Sequence, residues 1–325
     1  MRGEYDFYTD IVALGDDIGL RLRDPETKQP SYFKIAYRPK TYSPCVTTQQ
    51  TDDWRTLDDT PLRVTRHSSI TQYYAHEKMM DQQGTKLYGV IAPVQQFIAD
   101  HITPKCGMPF PALRTVYLDI EVDSEDHFAP PEYPDQPITA ITAEVWGHSY
   151  VWGCGEYKTD RTDLTYHNCA NEVALIQSFL AWWTKDYPDI VTGWSTHAFD
   201  LPYIVNRIDW LNEREDFPFT SKVLSPWGRV KPKTILIQPS QQEVKIVDIA
   251  GVVNLDYLEL YKKFCPTKRE VYRLDFIAEL ELGKKKTSYD EYGSLARLAR
   301  ENFQLFVTYN ANDVTLVREL NDKLK

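Results

Sequence analysis

Alternation of apolar and polar side chains marks the centre of this chain as a strand, and helical spacing marks its end. In Thr115-Val116-Tyr117-Leu118-Asp119-Ile120-Glu121-Val122, residues Val116, Leu118, Ile120 and Val122 fall on one face of an extended strand, and Asp119 and Glu121 on the other. Over residues 303–320 the apolar positions Phe303, Phe306, Val307, Val314, Val317 and Leu320 follow helical spacing. Leu201, Ile204, Val205, Ile208 and Leu211 do the same, with Pro202 in the first turn, where its missing N–H costs nothing. Val173, Ile176, Phe179, Leu180 and Trp183 predict another helix, capped by Asn171. Strands are expected at 189–192 and over 138–152 around Gly147-His148, and a hairpin at 234–237 and 243–249. Strands alternating with helices in this order predict an α/β fold, a mixed sheet with helices on both faces.

The first third reads differently. Gly15-Asp16-Asp17, Asp24-Pro25 and Pro39-Lys40 punctuate apolar stretches as hairpin turns do, and helices are expected at 69–80 and 92–102. Ser31 to Lys40 interleaves aromatic and basic residues; this is a pattern of single-strand-binding surfaces and equally of an ordinary half-buried strand. The proline and glycine of 107–111 mark the expected boundary between a smaller α+β N-terminal domain, 1–110, and a second domain, 111–325.

Composition narrows the class. With 325 residues, 42% of them hydrophobic, the chain can bury cores in two domains. Cys45, Cys106, Cys154, Cys169 and Cys265 include no C-x-x-C pair, which argues against a zinc site or a disulfide frame and for reduced thiols. No run of 18 apolar residues and no signal-peptide pattern is present, so a cytosolic, membrane-free protein is expected. The net charge is −10, divided as −1 in residues 1–110 and −9 in residues 111–325. Such acidity suits an enzyme whose bound cations supply local positive charge, and it predicts weak, salt-sensitive binding of any nucleic acid.

The acidity also carries the candidate chemistry. Among 47 acidic residues an acid-x-acid match arises by chance, so Asp119-x-Glu121 gains meaning only from its company. Two carboxylates side by side raise each other's pKa unless a cation offsets them. Asp313 borders the apolar stripe of its helix, and Tyr309, four residues earlier, shares its side. Asp200 opens a helix; on that segment alone the plain reading is an N-cap aspartate.

Asp119-x-Glu121, Phe199-Asp200-x-Pro202-Tyr203 and Tyr309-x-x-x-Asp313, in that order, resemble the three exonuclease motifs of family B DNA polymerases. Ile190 to Trp194, Pro202 to Ile208, Leu255 to Phe264 and Leu274 to Leu282 resemble the replicative polymerases of T-even-like bacteriophages. The similarity runs from about Tyr37 to the C-terminus and is dense from residue 111 onward. It implies a ribonuclease-H-like fold and a 3′→5′ proofreading exonuclease acting on single-stranded or frayed DNA ends. It further implies two divalent metal ions, Mg²⁺ or Mn²⁺, held by Asp119, Glu121, Asp200 and Asp313. Tyr309 would orient the attacking water. Phe199 would wedge beside the terminal base or simply pack in the core, and a lysine of the run Lys284-Lys285-Lys286, with Lys284 and Lys286 the assigned pair, would meet phosphate charge or lie in a solvated loop. The hairpin would help to part primer from template, and residues 1–110 would contact template or RNA.

The pattern departs from the family in two places. Ser195 stands where the second motif opens with Asn, and the chain ends twelve residues after Asp313, whereas such polymerases continue through a palm. An excised fragment or one product of a divided gene is therefore expected, with a separately encoded polymerase subunit as a partner. A DNA-guiding subunit without chemistry and a free-standing ribonuclease-H-like nuclease are the alternatives.

Overall fold

The computed structural model describes residues 5–45, 54–89, 92–103, 113–124, 129–237, 242–284 and 288–324. The chain divides into two compact units, Met1–Leu113 and Arg114–Lys325; the expected boundary at 107–111 lies outside the described residues.

In the first unit β1 (Asp10–Leu14), β2 (Asp17–Arg23) and β3 (Pro30–Ala36) form an antiparallel meander. The second of its turns is held by the Asp24 carboxylate, which accepts from the Thr27 N–H at 2.6 Å. The third punctuation is not a hairpin. After Pro39, which has no N–H for a ladder, β4 (Lys40–Pro44) leaves the meander and pairs with β5 (Leu62–Arg66). Helix α1 (Ile70–Gln82) starts at Ser69, whose hydroxyl accepts from the Gln72 N–H, and α2 (Pro93–His101) follows. Ile18, Leu20, Tyr37, Ile70 and Phe97 form this unit's core. The half-buried reading of β3 does not hold: Tyr32 and Phe33, neighbours on opposite faces of this edge strand, are 36% and 39% exposed.

The second unit is built on β6 (Thr115–Val122), β7 (Ile138–Val145), β8 (His148–Gly153) and β9 (Leu164–Asn168). Helix α3 (Glu172–Lys185), β10 (Ile190–Thr192) and α4 (Asp200–Arg214) come next. The hairpin β11 (Val230–Ile237) and β12 (Gln242–Ile249) precedes β13 (Val253–Asn254). Helices α5 (Tyr257–Phe264), α6 (Leu274–Leu282), α7 (Leu295–Glu301) and α8 (Phe303–Leu324) complete it. The hairpin has eight residues per strand, more than the expected 234–237 segment, because Val230 to Lys233 continue the ladder.

The six-stranded sheet runs β13-β10-β6-β7-β8-β9, with β10 parallel to both β13 and β6, β8 parallel to β9, and the other pairs antiparallel. Trp146 and Gly147, both at positive φ, make the two-residue turn between β7 and β8. Val116, Leu118, Ile120 and Val122 pack against α3 and α4, while Tyr117 on the other face is buried under α5, α6 and α8. This is the expected ribonuclease-H-like arrangement, with helices on both faces of the sheet; Asp119 and Glu121 on the second face of β6 are partly buried. Arg207 of α4 holds Glu172, the first residue of α3, through two hydrogen bonds of 2.6 and 2.8 Å. Their side chains are 4% and 13% exposed, so the pair fixes α4, and with it Asp200, against the sheet. Among the described residues no helix is long and apolar enough to cross a membrane.

Candidate active site

Strand β6 is pinned on both faces, so its two acidic side chains have little choice of position. One carboxylate oxygen from each of Asp119, Glu121 and Asp313 lies within 4.8 Å of the others. Asp313 is 5% exposed and Tyr309, one turn earlier on α8, 4%. Burial first, and then the Asp313 carboxylate, drive the Tyr309 phenol far above its ordinary pKa, so it stays a neutral donor.

Asp119 is held by a residue that sequence reasoning missed. The amide of Asn310, which is fully buried, donates to Asp119 Oδ2 at 2.6 Å, and its Oδ1 accepts from the Thr142 hydroxyl. Thr142 is the register partner of Asp119 on β7, so the clamp ties α8 to both strands. A signal existed: Asn310 lies three residues before Asp313 and shares its helix face.

Asp200 is not an N-cap. Phe199 occupies that position without a side-chain hydrogen bond, and Asp200 Oδ1 instead accepts from the Ile120 N–H at 3.1 Å. Strand β10 pairs with β6 only as far as Tyr117, which leaves the N–H of Ile120 to this carboxylate. Asp200 is thus joined to the backbone between Asp119 and Glu121. Burial, with the like charge of Asp256 adding to it, holds Asp200 well above the ordinary carboxylate range, against the lowering effect of the Ile120 N–H. Asp256 is itself 3% exposed; it caps α5 through the Glu259 N–H and accepts from the His197 N–H at 2.8 Å. His197, which fits no motif position, therefore contributes its backbone to the loop that delivers Asp200.

The remaining sequence-derived residues are dispersed. Phe199 packs on the α3–α4 core beside Tyr203, with ring centroids 5.5 Å apart. Lys284 Nζ donates to both carboxylate oxygens of Glu319 at 2.7 Å, and Lys286 lies outside the described residues. Ser195 sits at φ 77°, a left-handed conformation that Asn tolerates better than Ser. Of the thiols, Cys45 and Cys169 are buried, Cys265 is partly buried and Cys154 is exposed, while Cys106 lies outside the described residues.

The donors of Asp119, Glu121 and Asp313 are all anionic oxygens, a set that fits a hard divalent cation such as Mg²⁺ or Mn²⁺.

Residues 92–277 match the family described as DNA polymerase family B, exonuclease domain. The chain belongs to that family. Asp119, Glu121 and Asp200 fall inside the matched residues of the exonuclease domain, and Tyr309 and Asp313 beyond them. The DNA-directed DNA polymerase of Escherichia phage RB69 is 27% identical over 345 residues, an alignment that covers 98% of this chain and 37% of the relative. That of Enterobacteria phage T4 is 28% identical over 348 residues, with the same coverage of 98% and 37%. A DNA polymerase delta catalytic subunit of Plasmodium falciparum is 26% identical over 228 residues, 66% of this chain and 20% of the relative. This family B exonuclease chain therefore spans a little over a third, 37%, of the two phage relatives.

Proposed function

We propose that the chain is a metal-dependent 3′→5′ exonuclease of the proofreading type, which shortens single-stranded or frayed DNA 3′ ends and releases 5′-mononucleotides. It would serve as the editing part of a family B polymerase in the cytoplasm, with the polymerising part on the same or a partner chain. The observation that carries this reading is the convergence of Asp119, Glu121 and Asp313 from β6 and α8 beside the buried hydroxyl-bearing Tyr309.

Bound divalent ions would neutralise the phosphodiester and activate the attacking water. The chain's own part is positional. Asn310 occupies one oxygen of Asp119 and so orients the other. Tyr309, held neutral, can donate a hydrogen bond but not act as a base, which suits the orientation of a water. Asp200, locked on the Ile120 N–H, keeps a second carboxylate position against the same strand for a further ion. The all-oxygen, strongly negative cluster supports Mg²⁺ or Mn²⁺ as that metal.

The test is cleavage of end-labelled single-stranded and 3′-recessed DNA, with matched RNA, in Mg²⁺, Mn²⁺ or chelator. Stepwise shortening from the 3′ end of DNA, abolished by chelator, is expected. A folded, metal-supplied chain that binds DNA without cutting it would replace this reading with that of a guiding subunit, and faster cleavage of RNA would favour a free-standing nuclease. Tyr309→Phe is expected to lower kcat by about 10²-fold, the scale of losing one hydrogen bond aimed at reacting groups, with substrate affinity unchanged. Single-turnover rates would check this, and a wild-type rate would mean that the hydroxyl is unused.

A further inference from the structure

Beside the acidic cluster lies a cavity of about 990 Å³, lined in part by Asp119, Tyr309 and Asp313 and in part by α6 and the segment before it. Five carboxylates border it, and Arg273 is the only base among its described lining residues. A polyanionic strand entering such a space needs a positive contact besides the metal site. The sequence pointed to Lys284 and Lys286 for that part, but Lys284 is held by both oxygens of Glu319 and does not line the cavity.

Arg273 is placed for it. Its side chain is 76% exposed and forks onto Asp275, with Nε donating to Oδ1 at 3.1 Å and Nη2 to Oδ2. An exposed ion pair of this kind contributes little to stability, and the same planar fork matches two phosphate oxygens as well as two carboxylate oxygens. Val271 and Phe276, 42% and 43% exposed, add apolar and aromatic surface to the same lining, where a base can stack.

We infer that Arg273 is the phosphate-binding residue of this cavity, exchanging Asp275 for a backbone phosphate of the single strand whose 3′ end lies at Asp119 and Asp313. The inference rests on the exonuclease reading and deepens it. Arg273 holds substrate there and takes no part in bond breaking, so its loss acts on affinity rather than on the chemical step.

The experiment is anisotropy titration of fluorescein-labelled oligothymidylate with the full chain in calcium, over a series of salt concentrations, alongside cleavage rates in Mg²⁺. Arg273→Ala is expected to weaken binding about fivefold to tenfold at low salt and to reduce the slope of log K against log salt by about 0.7, the value for one phosphate contact on a single strand. Its kcat should stay within about twofold of wild type, because only an upstream contact is lost. Arg273→Lys should keep most of the slope, and Asp275→Asn, which frees the guanidinium, should tighten binding. An unchanged affinity and slope in Arg273→Ala would overturn the inference, as would a wild-type chain that does not bind the oligonucleotide. Wild-type binding without cleavage would count against the exonuclease reading instead and leave the slope to decide the role of Arg273.

Discussion

Asp119→Asn is expected to lower the rate of 3′-end hydrolysis by about 10³-fold or more while the chain stays folded. Removing a single electrostatic contact to a transition state already costs about 10²–10³ in rate, and among the described residues Asp119 shares its cluster with two other carboxylates, Glu121 and Asp313. Asparagine is the informative replacement because it keeps an oxygen for the Asn310 amide. Alanine would leave that buried amide without its acceptor, at about 1–3 kcal/mol, and so mix a stability defect with the catalytic one. In chelator the asparagine variant should unfold at the same temperature as wild type or slightly higher, since it relieves the repulsion of Asp119 by Glu121 and Asp313. Paired thermal unfolding and cleavage measurements test both halves; cleavage within tenfold of wild type would remove Asp119 from the metal site.

Gly193→Ala should be the most damaging change outside the carboxylates. A Cβ at Gly193 would lie 2.3 Å from the Leu118 carbonyl oxygen and 2.7 Å from Thr196 Cγ2, closer than any tolerated contact. One of these neighbours is the backbone of the residue before Asp119; the other belongs to the loop that delivers Asp200. The Gly193 carbonyl also accepts from the Tyr257 N–H at 2.9 Å, so a shift there is passed on to α5. Overpacking of this kind costs about 1–3 kcal/mol. For a unit of this size each kcal/mol lowers the melting temperature by about 2–4 °C. Activity should fall by about 10²-fold, because displacement of reacting groups by about 1 Å has that effect. A variant that melts and cleaves like wild type would show that the close approach is not needed.

Much of this was legible in the sequence, for local reasons. The alternation from Val116 to Val122 places Asp119 and Glu121 on one face whatever surrounds the strand, because side-chain direction is a property of the extended backbone. The helical spacing around Tyr309 and Asp313 does the same for α8. Asn171 caps its helix as expected, because the capping hydrogen bond spans only three residues.

Contacts distant in sequence were decided by the tertiary structure alone. Asp200 reads as an N-cap until β10 is seen to stop short and leave the Ile120 N–H, 80 residues away, as its partner. The grip of Asn310 on Asp119 spans 191 residues, and no local periodicity encodes it. Lys284 looks free in the sequence and is paired only because the turn after α6 comes beside Glu319 on α8, while Arg273 acquires its place only when α6 closes one side of the cavity. The sequence by itself determined which side chains share a face, since that follows from backbone geometry. Which faces meet, and so which carboxylate is clamped, buried or left for substrate, was settled by the packing of the sheet between its two layers of helices.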